Sequence, residues 1–252
     1  MTEQFFVVGA QRSGTTYLRR MLSDHPEIEM ARLEVPEPKF FLEDDLYSRG
    51  IEWYEKYCYE SFGAKARGEK STSYLESELA ADRIVAAYPT AKIIAILRDP
   101  VDRALSNYYY SVSNGLETRP VEEALGQEDQ VPPDTAWLLP GKVVSASPFA
   151  YRARGRYVHG LRRYADRFGR DRIKVLILEE TVGRLEQVAE IYQFLDVDRS
   201  FSPPSLHEVM NAGANVGVAT NEKLKTDLLR HFSETNESLA REFDVDLSTW
   251  MH

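Results

Sequence analysis

A cation and two hydroxyls set in a glycine-bracketed turn form the first chemistry-bearing group of this sequence: Gly9-Ala10-Gln11-Arg12-Ser13-Gly14-Thr15-Thr16. Gly9 and Gly14 permit the tight backbone path that wraps an anion. Thr15 and Thr16 offer hydroxyl and N–H groups where a helix begins and its dipole favours negative charge. A nucleoside triphosphate loop of the G-x-x-x-x-G-K-[ST] type carries lysine at the position of Thr15. Here the cation comes earlier, at Arg12, where it can hold one phosphate oxygen or a leaving group by a charge-assisted bond. The spacing fits a phosphate site, and it also fits a plain strand-to-helix turn.

Four further residues stand where chemistry is possible. Glu37 lies between Pro36 and Pro38 in an extended segment that the prolines keep out of a helix. A carboxylate pinned in this way is a functional candidate, although a solvated glutamate is the commoner outcome for the residue type. Lys70 closes a short strand before the polar turn Ser71-Thr72-Ser73, and the carboxyl ends of strands in open parallel sheets are where ligands bind. Arg98 follows the clearest strand and falls in a loop beside the first one. Ser106, two turns into the next helix, either faces the same pocket or is simply exposed. Glu43-Asp44-Asp45 reads as a solvated turn rather than a metal site, and Trp53, Tyr54 and Tyr57 as core packing.

The elements that must position these residues alternate between strands and helices. Phe5–Val8, the segment around Gly68–Lys70, Ala91–Leu97 and Arg172–Leu178 read as strands. Helices are expected over Thr15–His25, Gly50–Tyr59, Ala80–Ala87, Val101–Asn114, Tyr151–Phe168, Leu185–Leu195 and Glu222–Phe243. The arginines of the Tyr151–Phe168 run are expected mostly on a solvated face. This alternation implies an α/β fold with a central parallel sheet flanked by helices. Residues 1–252 read as one domain, with a proline-rich insertion at about 117–154 carrying a short helix near Val121–Leu125, suited to a lid or substrate-binding element.

Composition narrows the classes of function. The 252 residues are 43% apolar and 28% charged, enough to bury a full core, with a net charge of -9 that argues against a general nucleic-acid binder. One cysteine, Cys58, leaves no internal disulfide and no multi-cysteine metal site. With no apolar run of membrane-spanning length and no basic leader, stable membrane insertion is not expected, and the cytoplasm is the expected location.

Taken together, Gly9–Thr16, Glu37-Pro38-Lys39-Phe40-Phe41, Glu69-Lys70-Ser71, Ile96-Leu97-Arg98-Asp99-Pro100 with Ser106, and Tyr157 ahead of a basic helix resemble the PAPS-dependent sulfotransferases, above all the heparan sulfate sulfotransferase domains. The likeness runs from about residue 4 to about residue 250 and includes Gly50–Tyr54 and the terminal Trp250. It implies a P-loop-containing sulfotransferase fold and PAPS (3′-phosphoadenosine 5′-phosphosulfate) as co-substrate, with PAP as product and no metal. It also implies a small-molecule, lipid or glycan acceptor. Arg12, Ser13, Gly14, Thr15 and Thr16 fall where the family holds the 5′-phosphosulfate, and Arg98 and Ser106 where it binds the 3′-phosphate, with Tyr157 among the donor positions. Glu37 falls at the catalytic base, and Lys70 and Arg12 at the cations around the transferred group. The heparan enzymes carry lysine at the position of Arg12, and a cysteine-bracketed basic loop where this chain has residues 207–220. A nucleotide-dependent kinase, or a binding module that keeps the loop without catalysis, is the alternative reading.

Overall fold

In the computed structural model, residues 2–34, 36–60, 63–126, 137–139, 142–144, 147–208 and 221–250 are described. In chain order the elements are β1 (Glu3–Gly9), α1 (Thr15–Asp24), β2 (Ile28–Met30), α2 (Asp44–Tyr47), α3 (Ile51–Cys58), β3 (Ala66–Lys70), α4 (Glu78–Ala87), β4 (Lys92–Leu97), α5 (Pro100–Ser113), α6 (Val121–Gly126), β5 (Trp137–Leu139), β6 (Lys142–Val144), α7 (Tyr157–Phe168), β7 (Ile173–Ile177), α8 (Leu178–Thr181), α9 (Leu185–Phe194) and α10 (Glu222–Phe243).

A five-stranded sheet in the order β2-β3-β1-β4-β7 is parallel throughout. Strand alternation sends successive side chains to opposite faces, and both faces are covered. Phe6 and Val8 of β1 join Ile93, Ala95 and Leu97 of β4 in one apolar cluster with Phe41, Tyr54 and Leu161. Phe5 and Val7 join Ile94 and Ile96 in the opposite cluster with Leu18, Leu22, Val188 and Ile191. This double burial is why the uncharged runs read so clearly as strands.

Because the strands are parallel and in register, their carboxyl ends share one edge. Lys70 lies opposite Val7, Ala95 opposite Gly9, and Ile177 opposite Leu97. The chain therefore leaves β1, β3 and β4 along the same rim, at the Gly9–Gly14 loop, the Ser71–Ser77 turn and the Arg98-Asp99 corner.

Several expectations are corrected. β2 was absent from the sequence reading: three residues with a charged centre carry little signal, and Glu29 is accommodated by Arg67 at 3.2 Å. Asp44 and Asp45 open a one-turn helix rather than a turn, with Asp44 paired to Arg83. Tyr57 is 44% exposed and stacks on Trp53 instead of entering the core. The helix expected from Tyr151 begins only at Tyr157, after a 3-10 turn over Ala153–Gly155. The helical path is interrupted at Arg156, at φ -82° and ψ 59°, and the turn before it is closely packed, since a Cβ on Gly155 would meet the Phe232 ring at 2.6 Å and Arg154 is 4% exposed. The arginines of that run are solvated only in part: Arg162 is 43% exposed in its ion pair with Glu242, whereas Arg154 is buried, Arg152 donates to Leu125 O at 2.7 Å, Arg163 donates to Leu75 O at 3.1 Å and Arg167 pairs with Asp82. Of the 117–154 insertion, α6 and the antiparallel pair β5–β6 are described. Residues 127–136, 140–141 and 145–146 lie outside the described residues, as do 209–220 of the expected donor loop.

Candidate active site

The loop after β1 is shaped by two left-handed residues, Arg12 at φ 67° and Gly14 at φ 82°. A Cβ at Gly14 would meet Leu178 Cδ1 at 2.3 Å, so close packing as well as the left-handed φ favours glycine there. Gly14 occupies the N-cap position of α1 without a side-chain cap, which leaves the first N–H groups of that helix open. The Ser13 hydroxyl is buried and has no hydrogen-bond partner of normal geometry among the described residues, although it lies close enough to Tyr157 to ease ionisation of that phenol.

Arg12 reaches across to α5. Its Nε donates to Ser106 Oγ at 3.2 Å, and its guanidinium sits 4.8 Å from the centre of the Tyr110 ring, one helical turn beyond Ser106. Burial lowers the Arg12 pKa, Tyr110 raises it and the positive charge of Arg98 lowers it. The two like charges are thus close enough to act on one another.

Arg98 is held by the corner on which it stands. Its Nη2 pairs with Asp102 at 2.9 Å, and Asp99 caps α5 by accepting from Val101 N at 2.8 Å and Asp102 N at 3.0 Å, with Pro100 at the first helical position. Glu179 accepts from Asp99 N at 3.1 Å and from Trp250 Nε1 at 3.1 Å, tying the corner to the C-terminal turn. Tyr157 lies beneath this arrangement, 2% exposed, with its hydroxyl donating to Arg98 O at 2.8 Å. Burial above all raises its pKa, so it remains a donor.

A second group stands at the end of β3. Lys70 Nζ lies 2.8 Å from Glu37 Oε1, their side chains 7% and 17% exposed. Thr72 N donates to Glu37 Oε2 at 3.0 Å, and Thr72 Oγ1 lies 3.0 and 3.2 Å from the two carboxylate oxygens. A carboxylate has about four lone-pair positions, and these partners supply three hydrogens, so one position stays open for an incoming hydroxyl or amine. A buried link joins this turn to the first loop: Arg154 Nε pairs with Glu76 Oε1 at 2.9 Å while Nη1 donates to Gln11 Oε1.

The rim thus brings Glu37 together with Lys70, and Arg12 together with Ser106 and Arg98. It sets Thr15 and Thr16 at the open helix start and Tyr157 under the Arg98 corner. Thr72, Tyr110, Gln11, Glu76 and Arg154 were not anticipated. Tyr110 is legible as the residue four places after Ser106 on a helix, and Thr72 as the hydroxyl two places after Lys70. The partners Glu76 and Arg154, far apart in the chain, carry no sequence signal. Chemically, one cluster suits an anion and its neighbour a proton transfer beside a cation.

The sequence profile of the family described as "Sulfotransferase domain" matches residues 2–235. The chain belongs to the sulfotransferase family. Over its full length this sulfotransferase superimposes on all of a sulfotransferase from Alicyclobacillus acidocaldarius, with a TM-score of 0.80 and 30% identity. A mouse sulfotransferase solved with PAP shares the fold, at a TM-score of 0.56 and 16% identity over 96% of this chain and 87% of that one. Heparan sulfate glucosamine 3-O-sulfotransferase 6 of Homo sapiens is 33% identical over 134 residues, 53% of this chain and 38% of that protein. The membrane-associated sulfotransferase kil1 of Dictyostelium discoideum is 38% identical over 112 residues, 43% of this chain and 23% of that protein. This sulfotransferase therefore matches well under half the length of those two relatives. Heparan sulfate sulfotransferases stand among its relatives, as the order of motifs implied. Among the described residues no helix is long and apolar enough to cross a membrane, and no cluster of His, Cys, Asp and Glu is arranged to hold a metal ion.

Proposed function

We propose that this sulfotransferase transfers the sulfuryl group of PAPS to a hydroxyl or amine of a small-molecule, lipid or glycan acceptor, with Glu37 as general base. The observation that carries the reading is the Glu37–Lys70 pair, 2.8 Å apart, on the same rim as the Arg12–Ser106 contact. The residues fit such a donor. An anion between Arg12 and Arg98 relieves their repulsion, and the uncapped start of α1 and the orphaned Ser13 hydroxyl supply N–H and O–H donors. In this assignment Arg12, Ser13, Gly14, Thr15 and Thr16 bind the 5′ end, Arg98 and Ser106 hold the 3′-phosphate, and Tyr157 supports the Arg98 corner.

Bound PAPS supplies the sulfuryl group and PAP is what departs. Glu37 takes the acceptor's proton on the carboxylate position left open by Lys70 and Thr72, so the base is already aligned before the acceptor arrives. Lys70 and Arg12 are the cations that meet developing negative charge without having to move in from solvent. The heparan sulfate relatives support a glycan as one acceptor class.

The test is a pair of measurements on the intact protein. Calorimetric titration with PAP and with ATP separates a sulfuryl-donor site from a kinase site, and transfer from radiolabelled PAPS is followed to heparan sulfate, a phenol and a long-chain alcohol. Tight PAP binding with transfer to any of the three is the expected result. Preference for ATP sinks the donor assignment, and PAP binding without PAPS consumption leaves a binding module.

A further inference from the structure

Directly behind the Glu37–Lys70 pair lies a carboxylate that the transfer step does not use. Glu69 precedes Lys70 on β3 and is 0% exposed. Ser71 Oγ donates to its Oε1 at 2.6 Å and Tyr54 OH to its Oε2 at 2.6 Å. A hydroxyl has one hydrogen. Once that hydrogen is committed to Glu69, only lone pairs remain to face the rest of the protein. Those of Ser71 accept Lys39 N–H at 3.0 Å, and the Tyr74 hydroxyl accepts Phe41 N–H at 3.0 Å. Both amides belong to the segment that follows Glu37-Pro38 directly, where Lys39 holds a left-handed φ of 51°.

The same polarity continues away from the site. Tyr59 OH lies 3.2 Å from Tyr54 OH, and since the Tyr54 hydrogen is on Glu69, Tyr59 is the donor, while Gln4 Nε2 in turn donates to Tyr59 at 2.9 Å. The row of hydroxyls is thus oriented toward one buried acceptor. Burial raises the Glu69 pKa, and the bonds from Ser71 and Tyr54 oppose that rise. Tyr54 and Tyr74 are pushed well above the ordinary phenol range, first by burial and then by Glu69, which keeps them donors.

We propose that Glu69 is a positioning residue for the base: by fixing the direction of the Ser71 hydroxyl it holds Lys39, and through Pro38 the Glu37 carboxylate, against Lys70 and Thr72. The inference rests on the reading of Glu37 as general base. A glutamine at this position offers one acceptor oxygen to two hydroxyl hydrogens on opposite oxygens and places an NH2 donor where the other oxygen stood. At least one hydroxyl must then reverse, and when Ser71 does, the loop it holds loses its anchor.

The experiment follows PAPS consumption as PAP formed in the presence of heparan sulfate, which counts transfer to glycan and to water alike, for Glu69→Gln, Glu37→Gln and the double variant. Glu69→Gln is expected to lower kcat by about 10- to 100-fold, the scale of a misplaced catalytic group, with KM for PAPS and Kd for PAP within threefold of wild type. In the Glu37→Gln background it is expected to have no further effect. Should Glu69→Gln fail to fold, Ser71→Ala removes the link to Lys39 N while keeping the carboxylate, and a fall in kcat without a change in Kd for PAP is expected of it. An unchanged kcat in these variants, an equal loss in the Glu37→Gln background, or a loss carried by KM for PAPS overturns the proposal. If Glu37→Gln itself stays active, the base assignment fails and this inference falls with it; if Glu37→Gln is inactive and Glu69→Gln is not impaired, only the positioning role is lost.

Discussion

Replacing Glu37 by glutamine separates the proposed chemistry from structure, because the carboxylate is both the proposed base and the partner of Lys70 and Thr72. Three hydrogens converge on it, from Lys70 Nζ at 2.8 Å, Thr72 N at 3.0 Å and Thr72 Oγ1 at 3.0 Å. A carboxamide keeps one acceptor oxygen, so it satisfies Thr72 or Lys70 but turns an N–H donor toward the other. Loss of the proton acceptor is expected to lower kcat by about 10²- to 10⁴-fold, or about 3 to 5 kcal/mol of transition-state stabilisation. The structural cost is smaller. Lys70, 7% exposed, is left with a charge that no anion offsets, and breaking a fully buried pair costs about 3–5 kcal/mol. With Glu37 17% exposed and one carboxamide oxygen retained, we expect about 1–3 kcal/mol, read as a fall in Tm of about 2–4 °C for each kcal/mol. Adding Lys70→Met should then recover much of the Tm and none of the activity. PAPS consumption, thermal unfolding and PAP titration on the two variants check this together. Activity of Glu37→Gln within threefold of wild type would refute the base assignment. A double variant less stable than Glu37→Gln would refute the view that an unpaired Lys70 is the source of the loss.

Other outcomes follow from the same geometry. Arg98→Ala should weaken PAP by about 1.5–3 kcal/mol, while adenosine 5′-phosphosulfate, which lacks the 3′-phosphate, is little affected; equal losses in a titration of both ligands would remove Arg98 from the 3′ site. Ser106→Ala should show the same selectivity with a smaller change. Gly14→Ala, at φ 82° and with Leu178 2.3 Å from the added carbon, is expected to cost about 2–4 kcal/mol in urea unfolding and to impair PAP binding, and a stable variant with normal PAP affinity would show that the loop relaxes freely. Glu117, chelated by Arg119 at 2.7 Å, has its pKa lowered from 4.5 to about 2. A depressed folded-state pKa means that its stabilisation is complete above about pH 4.5 and is lost as pH falls toward 2. The stability gap between wild type and Glu117→Gln should therefore narrow over that range in unfolding curves, and a gap independent of pH would refute the link.

What the sequence disclosed follows from how local each signal is. The central strands were legible because burial on both faces leaves uncharged runs such as Phe5–Val8 and Ile93–Leu97, all 0% exposed. β2, three residues with Glu29 at its centre, borrows its stability from β3 and shows no pattern of its own. Glu37 and Lys70 stood out one at a time, by proline bracketing and by strand-end position, but nothing in their spacing announced that they meet. Arg154 was read with its basic neighbours as solvated because residue type and helical period were the only guides. Its partners, Glu76 and Gln11, lie in the loops after the neighbouring strands β3 and β1, 78 and 143 positions away along the chain, and long-range pairs of this kind leave no periodicity.

The pairing of β3 with β1 sets Glu69 beside Phe6 and Lys70 beside Val7, residues whose side chains enter opposite faces of the sheet. Two consecutive residues of opposite charge are thereby sorted by parity alone, the acid into the tyrosine-lined interior and the base out to Glu37. A slip of β3 by one position would exchange them, driving an ammonium among hydroxyls turned to donate and setting two carboxylates face to face. The rim that carries the proposed site is consequently sensitive to an indel in β3, and its charge pattern favours a single strand register. A protein with the right side chains in a shifted frame would lose both its interior and its site at one stroke.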